Sequence, residues 1–111
     1  MPRKPAIPAE VRAEVERIVE QFNRQHLSQM GLAYSVRIRG KYLYLDRNDS
    51  GKPSPICRLT YNGGMENWDF AIYKYSDNRY DAEEWLFPGS GEVDGTIEGA
   101  LRAGLLAYPV E

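Results

Sequence analysis

The chain has 111 residues, which suits one domain and leaves no room for two. A hydrophobic fraction of 42% and a charged fraction of 27% are ordinary for a globular protein, so composition excludes disorder over most of the length. The net charge of −2 excludes a general attraction to nucleic acid, and the single cysteine excludes an internal disulfide. No apolar run spans a bilayer and no secretory signal follows the basic N-terminus, so we expect a cytoplasmic protein.

Charge is distributed unevenly along the chain. Residues 1–47 contain nine basic and five acidic residues, whereas residues 48–111 contain five basic and eleven acidic residues. Such asymmetry is typical of a basic binding surface, of a head-to-tail partner, or of two halves that attract each other within one fold.

The first predicted element is a helix that begins at Ala9. Its apolar residues recur at spacings of three and four, which places them on one stripe: Val11, Val15, Ile18, Val19 and Phe22. Pro8 suits the first turn, and Gly31 is a plausible stop after a fraying turn at residues 26–30. Residues 1–7 are rich in proline, so we expect them to be frayed and the single domain to cover residues 8–111.

A β-hairpin is predicted immediately after this helix. Aliphatic residues alternate with polar residues up to Gly40-Lys41, where the phase of the alternation reverses. A two-residue turn restores one buried face, and glycine at its first position suits a type II′ turn. The turn pairs Ile38 with Leu43 and Val36 with Leu45 on the buried face. It pairs Arg39 with Tyr42 and Arg37 with Tyr44 on the other face.

Two more strands follow a predicted loop. Residues 46–55 consist mostly of Asp, Asn, Ser, Gly and Pro, which predicts a loop. Alternation predicts strands over residues 56–61 and 68–75, with an Asn-Gly-Gly turn between them. The buried sides of these strands carry Cys57, Leu59 and Tyr61 and then Trp68, Phe70 and Ile72.

The last third of the chain predicts one helical turn and one longer helix. Asp81 and Glu84 have the spacing of a capping box, which predicts a turn of helix there. The second helix starts near residues 94–96 and runs to about Tyr108, where Pro109 ends it. Gly104 lies on its apolar stripe, so we expect another element to approach the helix closely at that point.

Together these elements predict a two-layer α+β fold of order α-β-β-β-β-α. An antiparallel meander sheet carries the N- and C-terminal helices on one face. The order of helix, antiparallel strands and helix is similar to that of double-stranded RNA-binding domains. That family grips phosphates with lysines at the start of its second helix, whereas residues 94–98 of this chain are acidic and would repel them. The sequence therefore predicts no membership of that family.

No catalytic, cofactor or metal motif is complete in this sequence. Residues 46–51 match the start of a calcium-binding EF-hand loop, but the bidentate glutamate at its twelfth position is replaced by Cys57. One cysteine and one histidine, His26, are too few for a zinc site, and no base is placed beside a nucleophile. The segment Gly89-Ser90-Gly91 lacks the residues that would complete a phosphate loop. We therefore expect no cofactor and no enzyme.

An acidic region near the C-terminus leaves one enzymatic alternative open. Its carboxylates could hold a metal or form an acid–base pair, although acidic residues at helix starts are common for dipole reasons alone. They are Asp81, Glu83, Glu84, Glu92, Asp94 and Glu98.

The remaining candidate site is the sheet face that the helices leave open. Arginines and tyrosines alternate on it, a combination used by protein interfaces and by single-stranded nucleic acid sites. The residues are Arg37, Arg39, Tyr42, Tyr44, Arg58, Tyr73 and Tyr75. We expect a non-enzymatic binding module whose partner is a protein or a second copy of the chain. Binding of single-stranded nucleic acid by the same face is the alternative, and cross-strand Arg–Tyr pairs that only stabilise the sheet are the plainest interpretation.

Overall fold

The computed structural model describes residues 6–49 and 52–109, and it has the predicted α+β architecture. The elements are α1 (Ala9–Phe22), β1 (Ala33–Arg39), β2 (Tyr42–Asp49), β3 (Lys52–Thr60), β4 (Asp69–Lys74), β5 (Arg79–Asp81) and α2 (Ile97–Ala107). Within the described residues five strands, one more than the four predicted, form one antiparallel sheet in the order β1-β2-β3-β4-β5, and the strand that was not predicted is the three-residue β5. Both helices pack on one face of this sheet. Neither has the length and apolar character that would let it cross a bilayer, within the described ranges.

The predicted hairpin is confirmed in its register. Ile38 stands opposite Leu43, and Arg37 stands opposite Tyr44. Gly40 has a φ of 62°, the positive value that the first central position of a type II′ turn requires. The side chains of Leu43 and Leu45 are fully buried beneath the helices, so turn chemistry and hydrophobic alternation specify the same pairing.

The helical path of α1 continues past its last α-helical residue and ends where the sequence predicts. It passes through a π-helical turn, Asn23–Leu27, and a 3₁₀ turn, Ser28–Met30. Gly31 then stops it in the left-handed conformation, with a φ of 70°. At the other end, residues 1–5 lie outside the described residues, but Ile7 is buried and its N–H donates to the carbonyl of Gly40. The predicted fraying therefore does not include Ile7.

The predicted loop over residues 46–55 is wrong, because β2 and β3 extend through most of it. Pro53 and Pro55 lie in the first half of β3, which β4 does not pair with, since β4 pairs only with the later half. The outer side of this first half is therefore an edge that needs no N–H donor, so proline is compatible with the strand there. The pairing shifts between Leu45 and Asp46, which makes Ile56 an extra residue in β3 and buries it beside Cys57.

The predicted helical turn at Asp81 is also wrong. Asp81 is the last residue of β5 and is paired with Ile72. Its carboxylate accepts the N–H of Glu83, two residues later, which makes a turn rather than a helix cap. Glu84 is used elsewhere, since its carboxylate accepts hydrogen bonds from the Lys74 ammonium and from the N–H of Leu86.

The second helix matches its prediction. Thr96 is its N-cap, with a side chain that accepts the N–H of Gly99 at 3.0 Å. The predicted close approach at Gly104 is confirmed, because a Cβ there would stand 2.6 Å from Cγ2 of Ile56 and would also meet the Tyr34 hydroxyl. The glycine thus lets α2 lie directly on β1 and β3.

Candidate functional site

The sheet face opposite the helices carries the candidate site, which we call the Arg/Tyr face. The strand register places its members on this face, because Arg37 and Arg58 both stand opposite Tyr44, Tyr73 stands opposite Tyr80, and directly opposed residues point to the same side of a sheet. Its members are Arg37, Arg39, Tyr42, Tyr44, Asp46, Arg58, Tyr73 and Tyr80. Six of them were predicted from the sequence, and Asp46 and Tyr80 were not.

Tyr80 connects strands that are not neighbours in the sheet. Its ring centroid lies 4.9 Å from that of Tyr73 on β4 and 5.4 Å from that of Tyr44 on β2. Since β3 and β4 separate β2 from β5, the Tyr80 side chain must extend along the face, where the small residue Ala71 leaves room. Burial raises the pKa of the Tyr80 hydroxyl, and the nearby Asp46 carboxylate adds to this rise.

Arg37 is bound to a carboxylate of the same face. Its Nε donates to Asp46 Oδ2 at 2.6 Å and its terminal nitrogen donates to Oδ1 at 3.1 Å, which is a bidentate pair. The hydrogen bond to Asp46 raises the pKa of the Arg37 guanidinium. Asp46 is only 5% exposed, so this pair holds a nearly buried charge in place. Arg37 therefore has a structural partner already.

Arg58 differs from Arg37 in having no carboxylate partner. Its guanidinium carbon lies 4.9 Å from the ring centroid of Tyr42 and 5.5 Å from that of Tyr80. Within the described ranges it makes no ion pair and donates no hydrogen bond, and of its three nitrogens only Nε is buried. The two rings thus hold the guanidinium by cation–π contact, while its terminal nitrogens stay accessible.

Tyr75 and Arg39 lie at the margins of the predicted site. The Tyr75 ring contacts both Tyr73, at 4.9 Å, and Tyr108 at the end of α2, at 5.3 Å. Its hydroxyl donates to the carbonyl of Pro55 at 2.7 Å, so Tyr75 ties the end of β4 to β3 and α2. Arg39 is exposed at the end of β1. The structure brings together Arg37, Tyr42, Tyr44, Arg58 and Tyr73 of the predicted set.

Four of the six acidic residues of the enzymatic alternative divide into two groups. Asp81 and Glu84 lie within 3.9 Å and 3.2 Å of the Lys74 ammonium. Glu92 and Asp94 lie around Arg102, where the shortest distance is 3.0 Å. Across residues 6–49 and 52–109, no three His, Cys, Asp or Glu side chains are arranged to hold a metal ion.

Sequence reasoning missed a groove of about 540 Å³ between the helices. Phe22 and His26 contribute to it from the helical path of α1, and Leu105 and Leu106 contribute from α2. The rings of Phe22 and His26 are 4.5 Å apart, so the π-helical turn directs the single histidine toward the groove.

Cys57, by contrast, is fully buried, and burial raises the pKa of its thiol well above the ordinary value.

Comparisons with known proteins give no relative for this arrangement. No family model, no curated protein and no solved structure matches the chain. The function must therefore be argued from the site itself.

Proposed function

We propose that the protein is a non-enzymatic binding module that holds a protein partner on its Arg/Tyr face. The partner places a carboxylate, from an aspartate, a glutamate or a chain end, on the terminal nitrogens of Arg58. Tyr42, Tyr44 and Tyr80 form the surrounding aromatic contact surface.

The observation that carries the proposal is the contrast between Arg58 and Arg37. Arg37 has a bidentate carboxylate partner within the chain, whereas Arg58 is held between two tyrosine rings and has none among the described residues. A guanidinium fixed in one orientation loses little conformational entropy when it binds a planar carboxylate bidentately. Tyrosine and arginine are also the residues enriched at interface hot spots.

A single-stranded nucleic acid is the second candidate, favoured by the exposed tyrosine rings on which bases stack. The charge of the face favours the protein partner instead. Asp46 belongs to the face, and Asp69, opposite Thr60, lies on the same side of the sheet, whereas a polyanion gains affinity mainly from many basic contacts. A protein partner that presents one or two carboxylates can bind Arg58. It brings less negative charge near Asp46 than the phosphates of a nucleic acid would.

Self-association through the Arg/Tyr face must be distinguished experimentally from binding of a different protein. A symmetric dimer formed face to face brings cationic arginines of both copies together, and like charges at an interface oppose association. A second copy that docked its acidic half on Arg58 would instead build an open chain of copies. Light scattering after size-exclusion chromatography distinguishes both arrangements from a monomer.

A titration followed by nuclear magnetic resonance tests the proposal. The probes are a blocked decapeptide of alternating glutamate and tyrosine and a mixed-sequence single-stranded oligonucleotide, each at about 50 mM salt. We expect the peptide to shift the Nε–H signal of Arg58 and the ring signals of Tyr42 and Tyr80.

The control variants are Arg58→Leu and Arg24→Leu. Arg58→Leu removes the guanidinium of the site, so we expect it to abolish the shifts of the Tyr42 and Tyr80 ring signals. Arg24 is exposed on α1's helical extension, so its loss should leave all the shifts intact. If the oligonucleotide bound more tightly than the peptide and its affinity fell steeply at higher salt, the ligand of the face would be nucleic acid rather than a protein. Absence of shifts with both probes would refute the binding function of the face.

A further inference from the structure

We propose that the outer edge of β1 binds an extended segment of the partner by strand addition at Val36 and Ile38. Among the residues that the structure describes, β1 is an edge strand, because β2 is its single neighbour in the sheet. An edge strand presents unpaired N–H and C=O groups that can bond to another chain. The choice of a protein partner that carries carboxylates rests on the proposed function, whereas the open edge itself does not.

The direction of each backbone group follows from the hairpin. In a two-residue hairpin, Arg39 and Tyr42 next to the turn exchange hydrogen bonds, and bonded pairs then alternate with non-bonded pairs. Even-numbered residues of β1 therefore point their N–H and C=O groups away from β2. Tyr34 verifies this parity independently, because both its N–H and its C=O bond to the Asn23 side chain instead of to β2.

Asn23 also limits the length of the open edge. Its amide oxygen accepts the N–H of Tyr34 at 2.8 Å, and its amide nitrogen donates to the C=O of Tyr34 at 3.0 Å. The side chain thus takes the place that one residue of an added strand would occupy. Val36 and Ile38 have no such substitute among the described residues, and both side chains are half-buried rather than enclosed.

The side chains of β1 specify what kind of strand fits. Residues directly opposite one another in a sheet point to the same face, so an added strand places alternate side chains beside Arg37 and Arg39. A carboxylate suits the position beside Arg39, since Arg37 is already paired with Asp46, and aliphatic residues suit the positions beside Val36 and Ile38. The fitting partner is therefore an extended segment that alternates acidic and aliphatic residues.

A second copy of the chain is a poorer occupant of this edge. If the β1 strands of two copies paired antiparallel with Val36 opposite Ile38, Arg37 would stand opposite its own counterpart. Arg37 is already paired with Asp46 in each copy, and Arg39 would stand opposite the uncharged Ser35, so self-pairing lacks the carboxylate that an acidic strand places beside Arg39.

The test uses a blocked hexapeptide that alternates valine and glutamate, titrated against the full chain. We expect the backbone amide signals of Val36 and Ile38 to shift and their hydrogen exchange to slow, because those N–H groups gain acceptors. In an antiparallel arrangement the valines stand opposite Val36 and Ile38 and exchange hydrogen bonds with them, so the matched control is the same peptide N-methylated at its valines, which removes the donors that face β1. We expect it to bind about tenfold more weakly or not at all, whereas N-methylation of the glutamates changes little.

Two further outcomes separate this inference from the proposed function. Arg58→Leu leaves the edge intact, so the hexapeptide should bind that variant as it binds the original chain. Binding that N-methylation of the valines does not weaken, or shifts confined to the tyrosines of the Arg/Tyr face, would overturn strand addition and leave the role of Arg58 standing. Concentration-dependent dimerisation through the same amides would assign the edge to a second copy and overturn the acidic partner.

Discussion

The hydroxyl of Tyr34 on β1 donates a hydrogen bond of 2.9 Å to the carbonyl oxygen of Leu101 on α2. The bond is possible because Gly104, on the same side of the helix, has no side chain to hold the tyrosine ring away. The ring is buried, so its polar end needs this acceptor. One glycine and one hydroxyl thus set the distance between the two layers of the fold.

Gly104→Ala is therefore expected to destabilise the protein by about 1–3 kcal/mol, although alanine is the better helix former by about 1 kcal/mol. The added methyl group would overlap the Tyr34 hydroxyl and Cγ2 of Ile56. Chemical denaturation measures the free energy of unfolding. The control is Gly91→Ala, since no atom lies within 4 Å of a Cβ at that exposed position. Equal stability of the two variants would contradict this account of the layer spacing.

Asp46→Asn is expected to lower the free energy of unfolding by about 1–3 kcal/mol. The change removes the charge of a nearly buried carboxylate that receives two hydrogen bonds from Arg37. Glu20→Gln is the control, because the ion pair of Glu20 with Arg24 is exposed on both sides and 3.8 Å long. Its loss should cost less than about 0.5 kcal/mol. If the two variants lost the same stability, the pair on the sheet face would be no more than a surface ion pair.

The thiol of Cys57 is expected to resist modification in the folded protein. The side chain is fully buried, and burial raises the pKa of the thiol, so little thiolate is present and reagents have no access to it. Ellman's reagent should react slowly with the native chain and at the ordinary rate after unfolding in urea. Rapid reaction under native conditions would place Cys57 outside the core.

The stability of α2 is expected to depend on pH through Asp94. Its carboxylate accepts hydrogen bonds from the Thr96 hydroxyl at 2.5 Å and from the Thr96 N–H at 3.1 Å, and these bonds lower the pKa of Asp94. Because the folded-state pKa lies below the unfolded-state pKa, this contribution is complete above the ordinary aspartate value of about 3.9 and is lost as the pH falls through the lowered pKa.

Urea denaturation at pH 7 and at acidic pH measures this dependence. Asp94→Asn should unfold at a lower urea concentration than the original chain at pH 7. The two chains should approach each other as Asp94 becomes protonated. A constant difference across that range would show that Asp94 contributes nothing through its charge.

Local sequence signals were sufficient for the hairpin and the second helix. The turn at Gly40 and the reversed alternation around it lie within ten residues, so the side chains that pair across the hairpin are close in sequence as well as in space. The start of α2 falls within the predicted residues 94–96 for the same reason, because its cap, Thr96, bonds to the N–H of Gly99 only three residues later. Most of the Arg/Tyr face followed from this register, because alternation places Arg37 and Tyr44 on the same side as soon as the turn is known.

Residues 46–55 show what the local pattern could not reveal. Asp46 and Arg47 are polar and follow a hydrophobic strand, so they predict a loop, yet both are buried in β2. Asp46 is stabilised by Arg37 on the neighbouring strand, and the Arg47 guanidinium donates to the carbonyl of Tyr108, which caps the end of α2. A charge can be buried only where a partner compensates for its lost hydration, and these partners meet it only in the folded chain.

The composition of the site was likewise completed by the tertiary structure. Tyr80 belongs to a three-residue strand with no alternation long enough to detect, but its ring reaches Tyr44 across two intervening strands. The sequence by itself determined which residues alternate and where the chain turns, because those properties depend on neighbouring side chains and backbone dihedral angles. Only the tertiary structure decided which arginine has a carboxylate partner, because that depends on groups brought together from separate strands.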